Sequence, residues 1–145
     1  MNRVIGVLFV VFVLAAMAYS SSERSVPPMP PTRTLIGHLQ MLDVAESAAG
    51  RLVAVGERGG VFVSDDRGTN WRAAVSPNTA TLTTVRFIDA QRVLAVGHDA
   101  VILRSEDGGE NWQLVQSEPE AEEPLLGLWV DASGKGFAVG AYGRF

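Results

Sequence analysis

Two stretches gather many of the side chains able to do chemistry. One reads Ser64-Asp65-Asp66-Arg67-Gly68-Thr69-Asn70-Trp71. The other, 41 residues on, reads Ser105-Glu106-Asp107-Gly108-Gly109-Glu110-Asn111-Trp112. Both fit Ser-x-Asp-x-Gly-x-Asn-Trp. The chemistry this pattern points to is hydrogen bonding within a turn. A short Asp side chain accepts from backbone N–H groups one or two residues ahead and closes a tight turn, the role expected of Asp66 and Asp107. Gly68 and Gly109 follow where a positive φ is needed. Ser64 and Ser105 add a hydroxyl bond across the hairpin. Trp71 and Trp112 start the outgoing strand and lie back over the turn. An indole buries about 150–250 Å², worth about 4–6 kcal/mol as an upper bound. A turn hydrogen bond nets only about 1 kcal/mol, so the Trp anchors while the Asp shapes. No catalytic residue, nucleophile motif, phosphate loop, cofactor site or metal site is evident. His38 and His98 share no ligand spacing.

Such turns need strands to carry them, and the strands repeat. Each motif follows an Ala-Val-Gly triplet at the same distance, Ala54-Val55-Gly56 and Ala95-Val96-Gly97. A third triplet, Ala138-Val139-Gly140, comes 43 residues later. A period near 40 with short strands predicts an all-β fold, a β-propeller of four-stranded antiparallel blades. Val44, Val85 and Leu128 lie 12 residues before each triplet glycine and mark the innermost strands. Second strands are expected at about 51–56, 92–97 and 136–140, third strands at 60–64 and 100–105, fourth strands at 71–75 and 112–116. Val61-Phe62-Val63 and Val101-Ile102-Leu103 suit strands buried on both faces. The blades run 41–78, 79–120 and 121–145, the last incomplete. A propeller closes with four to eight blades, so about two and a half point to a piece of a longer propeller, with seven blades expected. The acidic stretch Glu118–Pro124 reads as a solvated loop, with nothing rigid to make its carboxylates a cation site.

Residues 1–18 read as a signal peptide: Arg3, a 15-residue apolar run from Val4 to Ala18, and the cleavage site Ala16-Met17-Ala18. The run is short for a spanning helix, and the alternative is an uncleaved anchor. Either way the domain is exported, to the periplasm or another extracytoplasmic space. Cleavage removes Arg3 and leaves 11 basic against 16 acidic residues, a net charge of −5. Residues 19–40 form a Ser/Pro-rich linker containing Pro27-Pro28-Met29-Pro30-Pro31. The chain has no cysteine, which excludes disulfides and a lipid-modified N-terminal Cys. Its net charge of −4 argues against a nucleic-acid partner. Eleven of its twelve cations are arginine, a bias that a GC-rich genome or bidentate anion contacts would each produce.

The repeated turn resembles the Asp box, or bacterial neuraminidase repeat. That motif occurs in sialidases, other glycoside hydrolases, sorting receptors and the photosystem II stability and assembly factor family. The second repeat is similar to that last family's pattern, Gly-x-x-Gly-x-hydrophobic-hydrophobic-Arg-Ser-x-Asp-Gly-Gly-x-x-Trp. It departs at Ala100, where glycine is common. The first repeat keeps that glycine as Gly59 but has Val63 for the arginine and Arg67 for the glycine after Asp. The resemblance covers about residues 40–145. It implies a non-enzymatic exported propeller, an assembly factor or scaffold that binds a membrane-protein client. It implies no direct lipid contact apart from an uncleaved anchor. The alternative is a sialidase-type glycoside hydrolase, whose catalytic residues would lie beyond Phe145. That chemistry needs clustered arginines, a tyrosine nucleophile with a glutamate, and an acid Asp. The Phe/Tyr-Arg-Ile-Pro element that sialidases usually carry before their first Asp box is missing. A binding module with its ligand over the channel is a third class. Blade geometry puts the loops between second and third strands on the face opposite the Asp boxes. Arg58, His98 and Tyr142, read as equivalent positions, are the candidate partner contacts; the plain alternative is three ordinary exposed turns.

Overall fold

The computed structural model describes residues 12–13 and 36–143. The chain divides into two units, 1–32 and 33–145, and all the sheets belong to the second. Most of residues 1–18, read above as a signal peptide, and most of the expected 19–40 linker lie outside the described residues. His38 falls in a one-turn helix, Ile36–His38, just before the first strand, and is exposed.

Three antiparallel sheets follow one another. The first holds β1 (Met41–Glu46), β2 (Leu52–Gly56), β3 (Val61–Ser64) and β4 (Arg72–Ala73), in that order. The second holds β5 (Leu82–Phe87), β6 (Val93–Gly97), β7 (Ile102–Ser105) and β8 (Gln113–Gln116), again in sequence order. The third pairs β9 (Leu125–Val130) with β10 (Gly136–Gly140). Four-stranded meanders joined end to end are propeller blades, and Val44, Val85 and Leu128 fall on their first strands. Pairing repeats between blades: Val44 faces Ala54, Val85 faces Ala95 and Leu128 faces Ala138. Even the irregularity repeats. One residue bulges early in each first strand, Leu42, Thr83 and Leu126 in turn.

The triplet glycine has a steric cause. A Cβ on Gly56, Gly97 or Gly140 would overlap the carbonyl oxygen of Gln40, Thr81 or Pro124 respectively. Those carbonyls accept hydrogen bonds from Glu57, His98 and Ala141 N–H groups at 2.9–3.1 Å. Each blade's entry thus crosses hard against the end of its second strand.

The main core lies between the first two blades. Val53, Val55, Val61 and Val63 of blade one meet Leu82, Val85, Val93, Leu103 and Trp112 of blade two. A smaller cluster of Val96, Ala100 and Leu125 joins blades two and three. Of the apolar third-strand residues, Val61, Phe62, Val63, Val101 and Leu103 are buried; Ile102 is only partly so. The fourth strands are shorter than the pattern predicts, most of all β4. Its continuation leaves the sheet because Val75 is claimed by blade two: it donates to the Glu110 carbonyl at 2.9 Å and accepts from Trp112 N at 3.1 Å.

Innermost strands are also tied sideways. Asp43 accepts from Val85 N at 3.0 Å and pairs with Arg86 at 2.6 Å. Thr84 Oγ1 donates to the Leu126 carbonyl at 3.0 Å. Asp43 and Thr84 hold the same blade position, so each blade passes a similar link to the next.

Candidate functional site

The β3–β4 and β7–β8 turns are built alike. Ser64 Oγ, fully buried, accepts from Gly68 N and donates to Asp66 Oδ1, both at 2.8 Å. Asp66 Oδ1 accepts from Asn70 N at 2.8 Å and Oδ2 from the Asn70 amide at 2.7 Å. Trp71 Nε1 donates to the Gly68 carbonyl at 2.9 Å. In the second turn Ser105, Asp107, Gly109, Asn111 and Trp112 make the same bonds at 2.7–3.0 Å. The Asp reaches three to four residues ahead rather than one or two, because the loop is wider than a two-residue turn. Asn70 and Asn111, to which the sequence reading gave no role, close it. Their presence in both repeats was the available sign.

These bonds stabilise the ionised carboxylates. The Asn70 N–H, the Asn70 amide and the Ser64 hydroxyl lower the Asp66 pKa to about 2. Burial pushes Asp107 up, but the Asn111 N–H and amide and the Ser105 hydroxyl outweigh it, leaving that group at about 2 as well. Carboxylates so fully engaged are poor proton carriers at neutral pH.

A charged clasp lies beside the turns. Arg51 pairs with Asp65 at 2.7 Å and Glu110 at 3.3 Å, and Arg72 pairs with the same two acids. Arg51 also donates to the Asp107 and Gly108 carbonyls across the blade boundary at 3.4 Å. Exposed pairs like these contribute only about 0–1 kcal/mol each, so the clasp fixes blade orientation more than stability.

At the other end of the strands, the β2–β3 and β6–β7 hairpins and the chain after β10 present a second surface. Two backbone bonds define the hairpins: Gly60 N to Glu57 O and Val101 N to His98 O, each at 3.0 Å. The two central residues of each loop have positive φ: Arg58 (56°) with Gly59 (64°), and Asp99 (57°) with Ala100 (47°). Tyr142 (57°) and Gly143 (82°) repeat the pattern in blade three. Two successive residues at positive φ are the signature of tight two-residue hairpins. Arg58 and Tyr142 are therefore structurally equivalent, and both are exposed, Tyr142 to 88%. The third equivalent is Asp99, not His98. His98, also exposed, stands one residue earlier, level with Glu57 and Ala141. Counting from the triplet glycine would have exposed this register.

Left-handed backbone in Arg58 and Tyr142 is strained, since neither side chain favours it. Ala100 takes the same conformation, with its methyl packed against Val96 and Leu125. Gly59 has no such freedom: a Cβ there would overlap the Asn78 carbonyl.

The acidic stretch also belongs to this surface. Glu118 N donates to the Asp99 carbonyl at 2.7 Å, and Ala100 N donates to the Glu123 carbonyl at 3.0 Å. The loop, with one helical turn at Pro119–Ala121, is thus pinned at both ends to the second hairpin. Its glutamates share a face with Arg58, His98 and Tyr142, giving mixed charge. Among the described residues, no three His, Cys, Asp or Glu side chains converge as a metal site.

No family model matches the chain, and no curated protein does. Solved structures do. A structure of YCF48 bound to D1 peptide superposes with a TM-score of 0.62 at 23% identity, over 77% of this chain and 36% of that one. A second, YCF48 from Cyanidioschyzon merolae, gives a TM-score of 0.44 at 17% identity over 72% of this chain and 49% of the other. The chain thus spans at most about half the length of these structures, and what the first shares with it is the fold: consecutive β-propeller blades.

Proposed function

We propose that the chain serves an exported, non-enzymatic propeller that binds a membrane-protein client, in the manner of a photosystem II assembly factor. The two repeated turns are then Asp boxes that hold the blades. The observation that carries this reading is that two hairpin loops and the chain after β10 hold exposed or part-exposed side chains, Arg58, Asp99 and Tyr142, on the same left-handed backbone, strained at Arg58 and Tyr142. Strain kept at equivalent surface positions marks a surface used for contact. The fold likeness to YCF48, captured with a D1 peptide, supports a protein partner. The engaged Asp66 and Asp107 carboxylates argue against a role for the turns in catalysis.

The test is capture of clients from detergent-solubilised membranes. Arg58→Glu with Tyr142→Ala weakens capture and leaves the melting temperature unchanged, since each surface change costs within about 0.5 kcal/mol. Fluorogenic sialosides and other glycosides are assayed in parallel. Turnover abolished by a single carboxylate or tyrosine substitution would replace the scaffold with the hydrolase. Export is tested by N-terminal sequencing of the secreted product, which begins at or near Tyr19. A membrane-retained chain starting at Met1 shows an anchor instead, and a cytosolic product sinks export altogether.

A further inference from the structure

The outer edge of a propeller blade is set by its own fourth strand, and the two four-stranded blades treat it differently. A sheet edge presents unpaired N–H and C=O groups, and proteins blunt it with short strands, charges, prolines or bulges. Blade one's outer strand, β4, is two residues long, and its Arg72 is held by Asp65 and Glu110. Blade two's outer strand, β8, runs for four residues, Gln113-Leu114-Val115-Gln116, with no charge and no proline. It pairs with β7 on one side and with no strand on the other. Its one blunting feature is a bulge: Leu114 pairs with Leu103 and Gln116 with Ile102, leaving Val115 extra. A bulge re-aims side chains, and here Leu114 is 46% exposed and Val115 60%.

Two observations say what fits this edge. The first is a strand contact already begun. Val75, arriving from blade one, forms a parallel bridge with Asn111, just before β8. It donates to the Glu110 carbonyl at 2.9 Å and accepts from Trp112 N at 3.1 Å. The chain then runs on through Ser76 and Pro77 toward β5, and β8 continues without that partner. Val75 stays exposed, so an apolar side chain stands at the start of the free edge. The second is charge. β8 leads directly into the loop carrying Glu118, Glu120, Glu122 and Glu123, which the main chain pins to the second hairpin. The edge therefore starts apolar and ends acidic.

We propose that an extended segment of a partner protein lies along β8 and parallel to it. The segment is apolar where it meets Val75, Leu114 and Val115, and basic at its C-terminal end beside the glutamates. Main-chain bonds from an added strand supply affinity, and its alternate side chains supply selectivity. Basic residues at that end gain from the glutamates at low salt and lose the gain as salt rises. β8 is not one of the loops assigned to client capture, so this contact stands or falls apart from that reading.

The test is fluorescence anisotropy of labelled peptides with the full chain. The probe is Val-Thr-Val-Thr-Val-Lys-Lys; its two controls place the lysines first or replace them with glutamates. The probe binds at least about tenfold tighter than either control, and the amides of residues 113–116 exchange more slowly when it is bound. Leu114→Gln with Val115→Gln weakens the probe about tenfold or more. Both positions are exposed, so the melting temperature stays near that of wild type. Glu120→Gln with Glu122→Gln removes the preference among the three peptides. The peptide comparison and the exchange pattern are read on wild type, so they decide even where a variant fails to fold. Three results overturn the proposal: equal binding of the three peptides; probe binding unchanged by Leu114→Gln with Val115→Gln, as when the peptide seats on another surface; or a wild-type chain that pairs with itself through β8, seen as a doubled sedimentation mass that the same variant returns to the single mass.

Discussion

Replacing Trp112 by alanine tests the claim that the indole, not the turn's hydrogen bonds, anchors the repeat. Trp112 is only 5% exposed and packs in the core shared by blades one and two. Nearly all of its roughly 150–250 Å² is removed from water, worth about 4–6 kcal/mol at 25 cal/mol/Å². Compactness of the unfolded chain reduces this, and the cavity left between two blades adds to it. The expected loss is about 3–5 kcal/mol. Trp71 makes the same bond in the same motif but is only partly buried. Its removal leaves a notch open to water rather than a closed cavity, so Trp71→Ala costs about half as much. Trp112→Phe keeps most of the apolar contact and loses only the bond to the Gly109 carbonyl, about 1–2 kcal/mol. Urea melts followed by far-ultraviolet dichroism measure all three, since fluorescence changes with the mutation itself. Equal losses for Trp71→Ala and Trp112→Ala, or a loss under 1 kcal/mol for the latter, would refute the reasoning.

Gly97→Ala drives a methyl into the Thr81 carbonyl and destabilises by about 3 kcal/mol, whereas Ala100→Gly stays within about 0.5 kcal/mol as relieved strain offsets lost packing; urea midpoints separate the two. Arg58→Asn and Tyr142→Asn relax left-handed backbone, each adding about 0.5–1 kcal/mol, and both weaken client capture; thermal melts and pull-downs read the two effects. Asp66 and Asp107 have folded-state pKa values of about 2 against ordinary values near 3.8. Their stabilisation is present above pH 4 and fades as pH falls from about 4 to 2. Urea melts across that range show the decline, and it is shallower in the Asp107→Asn variant.

The period, the strand positions and the apolar third strands were legible because they depend on local pattern. Val44, Val85 and Leu128 needed only their distance from a glycine to be placed. What the pattern concealed depends on groups far apart in sequence. Nothing near Gly56 announces that the Gln40 carbonyl will press on it. Nothing in Trp71–Val75 shows that Val75 will be drawn off to Glu110 and Trp112. The acidic stretch reads only as a solvated loop until the main chain at Glu118 and Glu123 is seen bonded to the second hairpin. At the hairpins, choosing His98 by its chemistry rather than its register put it one position from Asp99. The Asn70 and Asn111 amides were visible as repeated letters, but the width of the loop they close was not.

The two ends of each strand pair answer to different demands. At one end, the serine, aspartate and asparagine side chains bond to one another, and changing the aspartate strands both partners. At the other, arginine, aspartate and tyrosine occupy the same left-handed conformation in successive repeats, so the main chain there restricts the letter without fixing it. A lineage can therefore rewrite that rim one residue per repeat while the barrel of contacts beneath stays fixed. For an engineer the same property makes positions 58, 99 and 142 a small combinatorial alphabet, limited to side chains that tolerate left-handed backbone, with proline excluded and β-branched residues disfavoured.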